Sequence, residues 1–288
     1  MKNPYVRSIL ITIYLLFIIW GMLALYGERF MRGISYLKRL DQCPQTKFDG
    51  AEDRLFSQFY EDYILSYVFQ GADKGFYVDV GAHHPHNGSA TKYFHDKGWS
   101  GMNFEPQVEF YNQFLTYRPK DININKAVSS SNSTVILYIP DTIKGWAGID
   151  PRIEQRAKSI SATTKIEIQA ITLTEAFKSH NISDIDFIKI DAEGHEDKVL
   201  EGLDFKTFRP KVFIIESSSP TNAFGYLNFE PIMLNNGYKL GMDDELNRYY
   251  YRQESPEFAA KFREIRRCVI MSKLLRDKFC QNEDYCQH

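Results

Sequence analysis

Tyr77-Val78-Asp79-Val80-Gly81-Ala82 is an apolar run that carries one carboxylate and breaks at a glycine. A buried strand ending this way brings backbone close to a ligand. A second such run ends at Phe104-Glu105-Pro106, beginning its acid-bearing end 22 residues after Ala82. Two acids at two strand ends are how a doubly wound α/β domain grips a nucleoside-containing cofactor. A pyrophosphate-bearing dinucleotide asks in addition for G-x-G-x-x-G. After Gly81 the chain reads Ala82-His83-His84-Pro85-His86-Asn87-Gly88, with no glycine two residues on. That disfavours a nicotinamide oxidoreductase and favours S-adenosylmethionine.

The same pattern recurs further along. Asp186-Phe187-Ile188-Lys189-Ile190-Asp191-Ala192-Glu193-Gly194-His195-Glu196 is an apolar strand ending on acid, with a helix opening near His195. Lys211 to Glu216 is another buried strand with an acid at its end. Around these runs strand and helix patterns alternate. Strands are expected at about 76–81, 101–105, 122–128, 134–139 and 165–171, and helices at 55–69, 88–97, from about 107 to Tyr117, and at 173–179. A helix near 229–236 precedes two strands, 238–242 and 248–252, that read as a closing hairpin. Such alternation implies a mostly parallel sheet with helices on both faces. Ligands of such sheets bind beyond the carboxyl ends of the strands, so Asp79, Glu105, Asp191 and Glu216 should share one rim.

At 288 residues and 43% hydrophobic, the chain has room for one α/β domain and a sizeable core. A net charge of −2, with no basic stripe alternating with aromatics, argues against nucleic-acid binding. The N-terminus is different in kind. Ser8 to Gly27 contains no charged residue, and as a helix those residues would extend roughly 30 Å, enough to span a bilayer. The expected organisation is a transmembrane anchor over 1–28, a juxtamembrane linker over 29–54, the catalytic domain over 55–255 and a helical tail over 256–288. The positive-inside rule leans towards a cytoplasmic catalytic domain. Cys43, Cys268, Cys280 and Cys286 do not form the paired spacing of a structural zinc site.

Several segments together resemble one family. They are Ser57-Gln58 with Glu61-Asp62, Val78-Asp79-Val80-Gly81-Ala82-His83, Gly98-Trp99-Ser100-Gly101 with Glu105-Pro106, Asn125-Lys126-Ala127-Val128-Ser129, and Lys189-Ile190-Asp191-Ala192-Glu193-Gly194-His195-Glu196. In this order they are similar to the FkbM family of S-adenosylmethionine-dependent methyltransferases, over roughly 55–255. Leu246-Asn247-Arg248-Tyr249-Tyr250 is similar to members from surface-polysaccharide gene clusters. The resemblance implies a class I methyltransferase (Rossmann-like) fold, a seven-stranded, mostly parallel sheet with a C-terminal β-hairpin. It also implies methyl transfer to a hydroxyl, with a sugar as acceptor. The weighed alternative is a membrane-tethered, catalytically silent interaction or trafficking protein that keeps the fold.

In that reading Asp79 positions the turn or meets the donor's amino-acid end, Gly81 and Ala82 let that end approach the backbone, Glu105 accepts its ribose hydroxyls beside Pro106, and Ala127 and Val128 flank its adenine. Asp191, Glu193 and His195 are the catalytic candidates, as bases or, for Asp191 and Glu193, as ligands of a divalent cation. The histidines at 83, 84 and 86 read as a polar loop over the site, Lys189 as a structural ion-pair partner, and Trp146 and Tyr93 equally as an aromatic face for a sugar or as core residues.

Overall fold

The computed structural model describes residues 56–217 and 226–279. A seven-stranded sheet forms its centre. Four strands run parallel through the middle: β1 (Phe76–Val80), β2 (Ser100–Phe104), β7 (Phe187–Ile190) and β8 (Val212–Glu216). β3 (Ile122–Ile124) lies parallel outside β2. The hairpin of β9 (Tyr238–Asp243) and β10 (Asn247–Arg252) closes the other edge, β10 running antiparallel to β8. The order is β3-β2-β1-β7-β8-β10-β9. The seven strands and the terminal hairpin are thus as expected.

Alternation along each strand sorts the side chains. Val78, Val80, Met102, Phe104, Ile188, Ile190, Phe213 and Ile215 enter one continuous core. Burying each such side chain contributes about 1.5–3 kcal/mol. On the opposite face Tyr77 stacks on Phe187 at 5.9 Å, beside Phe94 and Trp99. The register opposes Tyr77 to Phe187 and Asp79 to Lys189, so one step beyond this aromatic layer the two strands place an acid beside an amine.

Helices cover both faces: α1 (Glu61–Val68), α2 (Lys92–Asp96), α3 (Val108–Tyr117), α4 (Arg152–Ala157), α5 (Leu173–Ser179), α6 (Glu196–Glu201), α7 (Tyr226–Asn235) and α8 (Glu257–Phe279). Two helices start later than expected, for the same reason. Asp62 accepts N–H bonds from Phe56 and Ser57 and the Ser57 hydroxyl, which fixes residues before Glu61 as a loop rather than a turn of helix. Ser89 and Thr91 hold buried side-chain bonds of their own, and α2 begins only at Lys92.

The expected strand 122–128 is two. β3 ends at Ile124, where the Asn125 amide turns to the carbonyls of Glu105 and Pro106. β4 (Ala127–Val128) then belongs to a separate three-stranded sheet of order β4-β6-β5, with β5 (Ser133–Pro140) and β6 (Thr163–Ile171). With the turn at Lys144–Trp146 and α4, this sheet forms a lobe inserted between β3 and α5.

The chain divides into two compact units, of which Thr46–Val269 carries both sheets. Of the other unit (Met1–Gln45 and Ile270–His288), the described part is the end of α8. The anchor expected over residues 8–27 lies outside the described residues, among which no helix is long and apolar enough to cross a membrane.

Candidate active site

A cavity of about 420 Å³ opens where the parallel strands end, within the range usual for small-molecule sites. All ten residues nominated above line it: Asp79, Gly81, Ala82, Glu105, Pro106, Ala127, Val128, Asp191, Glu193 and His195. Much of its remaining wall comes from Gln58 and Phe59 of the loop before α1, from Glu61 at the start of that helix, and from the inserted lobe, chiefly Ile143 and Gly145 to Ile149.

On the β1–β2 side the chain is tightly tied. Gly81 and Ala82 both donate N–H to the Phe104 carbonyl at 3.1 Å. Gly81 has φ +73°, and a Cβ there would sit 1.9 Å from the Asp191 carbonyl oxygen. The glycine is therefore needed for one strand end to pass another, whatever ligand comes near. Glu105 is sealed at 3% exposure. Its Oε1 accepts from the Gln107 N–H and its Oε2 from the His83 N–H, each at 2.7 Å. Burial pushes its carboxyl up to about 8, against the pull of those two bonds. Asp79 accepts from the Thr91 hydroxyl on Oδ2 at 2.7 Å, while Oδ1 has no hydrogen bond and faces Lys189 Nζ at 3.9 Å. The three histidines do not converge. His83 lies tilted against the Phe110 ring, His84 Nδ1 accepts from the N–H groups of His86 and Asn87, and His86 meets the Tyr117 ring.

The β7–β8 side is crowded with charge. Ligand atoms of Asp191, Glu193 and Glu216 all lie within 4.8 Å of one another. Lys189 Nζ donates to Asp191 Oδ2 at 3.1 Å. Burial works against the ammonium, but Asp191, Asp79 and Glu61 outweigh it and hold it charged. Burial, then Asp191 and Glu196, push the Glu193 carboxyl up to about 8. Burial, then Asp191, raises Glu216 well above the usual carboxylate range. Glu196, not Glu193, ties the turn: its Oε1 accepts from the N–H groups of Ala192 and Gly194. His195 Nε2 lies 3.0 Å from Ser129 Oγ, and burial holds its imidazole below the usual value.

The lobe is pinned to both sides. Gln107 donates to the Lys144 carbonyl, and Arg152 and Arg156 donate to the carbonyls of Gly194 and Glu193. Trp146 lines the cavity. Tyr93 does not; it packs on Phe94. Lys189 is expected from sequence as a structural ion-pair partner, and Glu61 belongs to the family-like segments but has no expected role in the site. Lys189 is an ion-pair partner of two cavity acids at once, Asp79 and Asp191, the first of which the β1–β7 register sets opposite it. Glu61 lies more than a hundred residues from its partner Asn247, a contact no local pattern shows.

No curated protein matches the chain. Among solved structures it is similar to a precorrin-6y C5,15-methyltransferase from Geobacter metallireducens GS-15, at 9% identity and a TM-score of 0.35, over 72% of this chain and 93% of that one. A likeness that slight carries no weight. The family model for the methyltransferase FkbM domain matches residues 79–252, from the acid of β1 to the last residue of β10. That span contains the whole set of nominated residues and 60% of the chain's length, and the chain belongs to the FkbM family of methyltransferases.

Proposed function

We propose that this enzyme methylates a hydroxyl of a saccharide, in a glycan or glycoconjugate, with S-adenosylmethionine as donor. The observation that carries the reading is the convergence of all ten nominated residues on one cavity at the strand ends. The residues also fit the donor. Asp79 Oδ1 is buried without a hydrogen-bond partner, an arrangement that an ammonium, such as the donor's amino-acid end carries, would satisfy. Each Glu105 oxygen accepts one backbone N–H and keeps a further lone pair for a ribose hydroxyl. Ala127 and Val128 offer an apolar wall for adenine.

Bound there, S-adenosylmethionine supplies an electrophilic methyl group on a sulfonium. The chain's own tasks are to align the acceptor and take its proton. Asp191, oriented by Lys189, is the assigned proton acceptor, with Glu193 and His195 on the same turn beside it. The saccharide assignment leans on the resemblance around Leu246 to Tyr250, and Leu246 and Trp146 both line the cavity. A tether through residues 8–27 would hold the enzyme beside acceptors at a bilayer. The three acids would also suit a divalent cation, which would lower the acceptor's pKa; turnover that survives EDTA removes it.

Isothermal titration of the full chain with S-adenosylhomocysteine, followed by mass spectrometry of glycans from cells with and without the gene, tests the reading. Binding and a methyl-sized mass difference are expected. No binding would overturn the donor, and unchanged glycan masses would overturn the saccharide.

A further inference from the structure

Arg118 is a residue type that burial disfavours, yet it is 1% exposed. It follows the last turn of α3, with its guanidinium 5.1 Å from the centre of the Phe114 ring. Its side-chain partners are neutral oxygens. Nη1 donates to Thr91 Oγ1 at 2.8 Å and, at 3.5 Å, to the Tyr77 hydroxyl of β1, and Nη2 donates to Ser89 Oγ at 2.8 Å and to the Pro85 carbonyl. A buried guanidinium loses its hydration and persists where its donors are used; here both terminal nitrogens are used and Nε has no hydrogen bond. Its planar fork reaches four acceptors at once, which the single nitrogen of a lysine cannot do in the same geometry.

Three of those acceptors, Pro85, Ser89 and Thr91, belong to the loop that leaves β1, and that loop serves both donor-side acids. Near its start the His83 N–H donates to Glu105, and at its end the Thr91 hydroxyl donates to Asp79 Oδ2. Thr91 has one hydroxyl hydrogen. With Arg118 donating to its oxygen, that hydrogen is directed to Asp79. Asp79 is thereby fixed through one oxygen, and Oδ1 is the oxygen left without a hydrogen bond. Neither Arg118 nor Thr91 lines the cavity.

We infer that Arg118 and Thr91 are positioning residues of the donor site, a buried relay that holds Asp79 with Oδ1, which Lys189 Nζ approaches only to 3.9 Å, left without a hydrogen bond for the ammonium of the donor's amino-acid end. The inference rests on the S-adenosylmethionine reading of the cavity and adds to it two residues that act from behind the wall. It differs from a purely structural role in one respect: it concerns the amino-acid end and leaves the nucleoside end alone.

The test compares two ligands on the full-length chain by isothermal titration. S-adenosylhomocysteine has the amino-acid end, and 5′-methylthioadenosine has the same nucleoside without it. Thr91→Val removes the hydroxyl and keeps the shape, and Thr91→Ser restores the hydroxyl. Thr91→Val is expected to weaken S-adenosylhomocysteine by about tenfold and methylthioadenosine by no more than about twofold, with Thr91→Ser recovering the loss. Arg118→Lys should act in the same direction, raising the KM for the donor more than it lowers kcat; should that variant not fold, the Thr91 pair alone decides. Equal weakening of both ligands, or unchanged affinity in Thr91→Val, overturns the positioning role while wild-type binding stands. A wild-type chain that binds neither ligand overturns the donor reading itself, and the relay with it.

Discussion

Both sides of the cavity are built from the same device, a parallel strand ending on an acid, but they are finished differently. On the β1–β2 side, three of the four oxygens of Asp79 and Glu105 already accept a hydrogen bond from fixed protein donors. On the β7–β8 side three carboxylates crowd together, one of them, Asp191, paired with the Lys189 ammonium, and the other two are raised far above the usual range. The first side is set before any ligand arrives, which is what binding without reorganisation requires. The second holds like charges close enough that a proton relieves them, which suits a group whose task is to take one.

The sharpest way to break this contrast is Asp191→Asn. Turnover should fall by about 10²–10⁴-fold, while titration with S-adenosylhomocysteine should show affinity little changed. A parallel loss of affinity would place Asp191 on the binding side and end the distinction. Next in size is Glu105→Ala, which should weaken S-adenosylhomocysteine by about 1.5–3 kcal/mol and lower Tm as well, because the N–H groups of His83 and Gln107 lose their acceptor. Undiminished affinity by titration would leave Glu105 a backbone brace and nothing more.

The smallest effect is in pH. Glu105, Glu193 and Glu196 are raised by burial to about 8, 8 and 7. A carboxyl raised in the folded state holds a proton that the unfolded chain has already released. Its contribution is complete below its unfolded value and is lost as pH climbs through its folded one. Calorimetry should therefore find Tm falling from about pH 6 to about pH 9, with Glu193→Gln flattening the fall. The carboxyls of Asp121 and Asp150, held below their usual value despite burial, act in the opposite sense, on the acid side outside this window. A Tm that rises across the window would mean the crowded acids are not protonated in the folded chain.

What could be read from the chain were local features. Apolar runs ending on Asp79, Glu105, Asp191 and Glu216 fixed the strands and the rim, because period-two burial and strand-end chemistry are written in consecutive residues. The split of 122–128 was hidden, because Ile122-Asn123-Ile124-Asn125-Lys126-Ala127-Val128 reads as one strand until the Asn125 amide is seen to bond outside it. The late start of α2 was hidden for a similar reason: Ser89 and Thr91 spend their hydroxyls on partners 12 and more residues away. Arg118 left no signal at all, since an arginine after a helix looks like an exposed last-turn cation until Pro85, Ser89 and Thr91 close around it.

The inserted lobe leaves and rejoins the body at adjacent points. Ala127 pairs with Ala170 and Val128 with Ile171, in parallel, and the next N–H, of Ser129, bonds to the Ile171 carbonyl. The chain thus departs and returns through one narrow seam, and what lies between can lengthen, shorten or change its surface without disturbing any strand of the main sheet. A fold with such a seam can keep one chemistry and exchange its clientele.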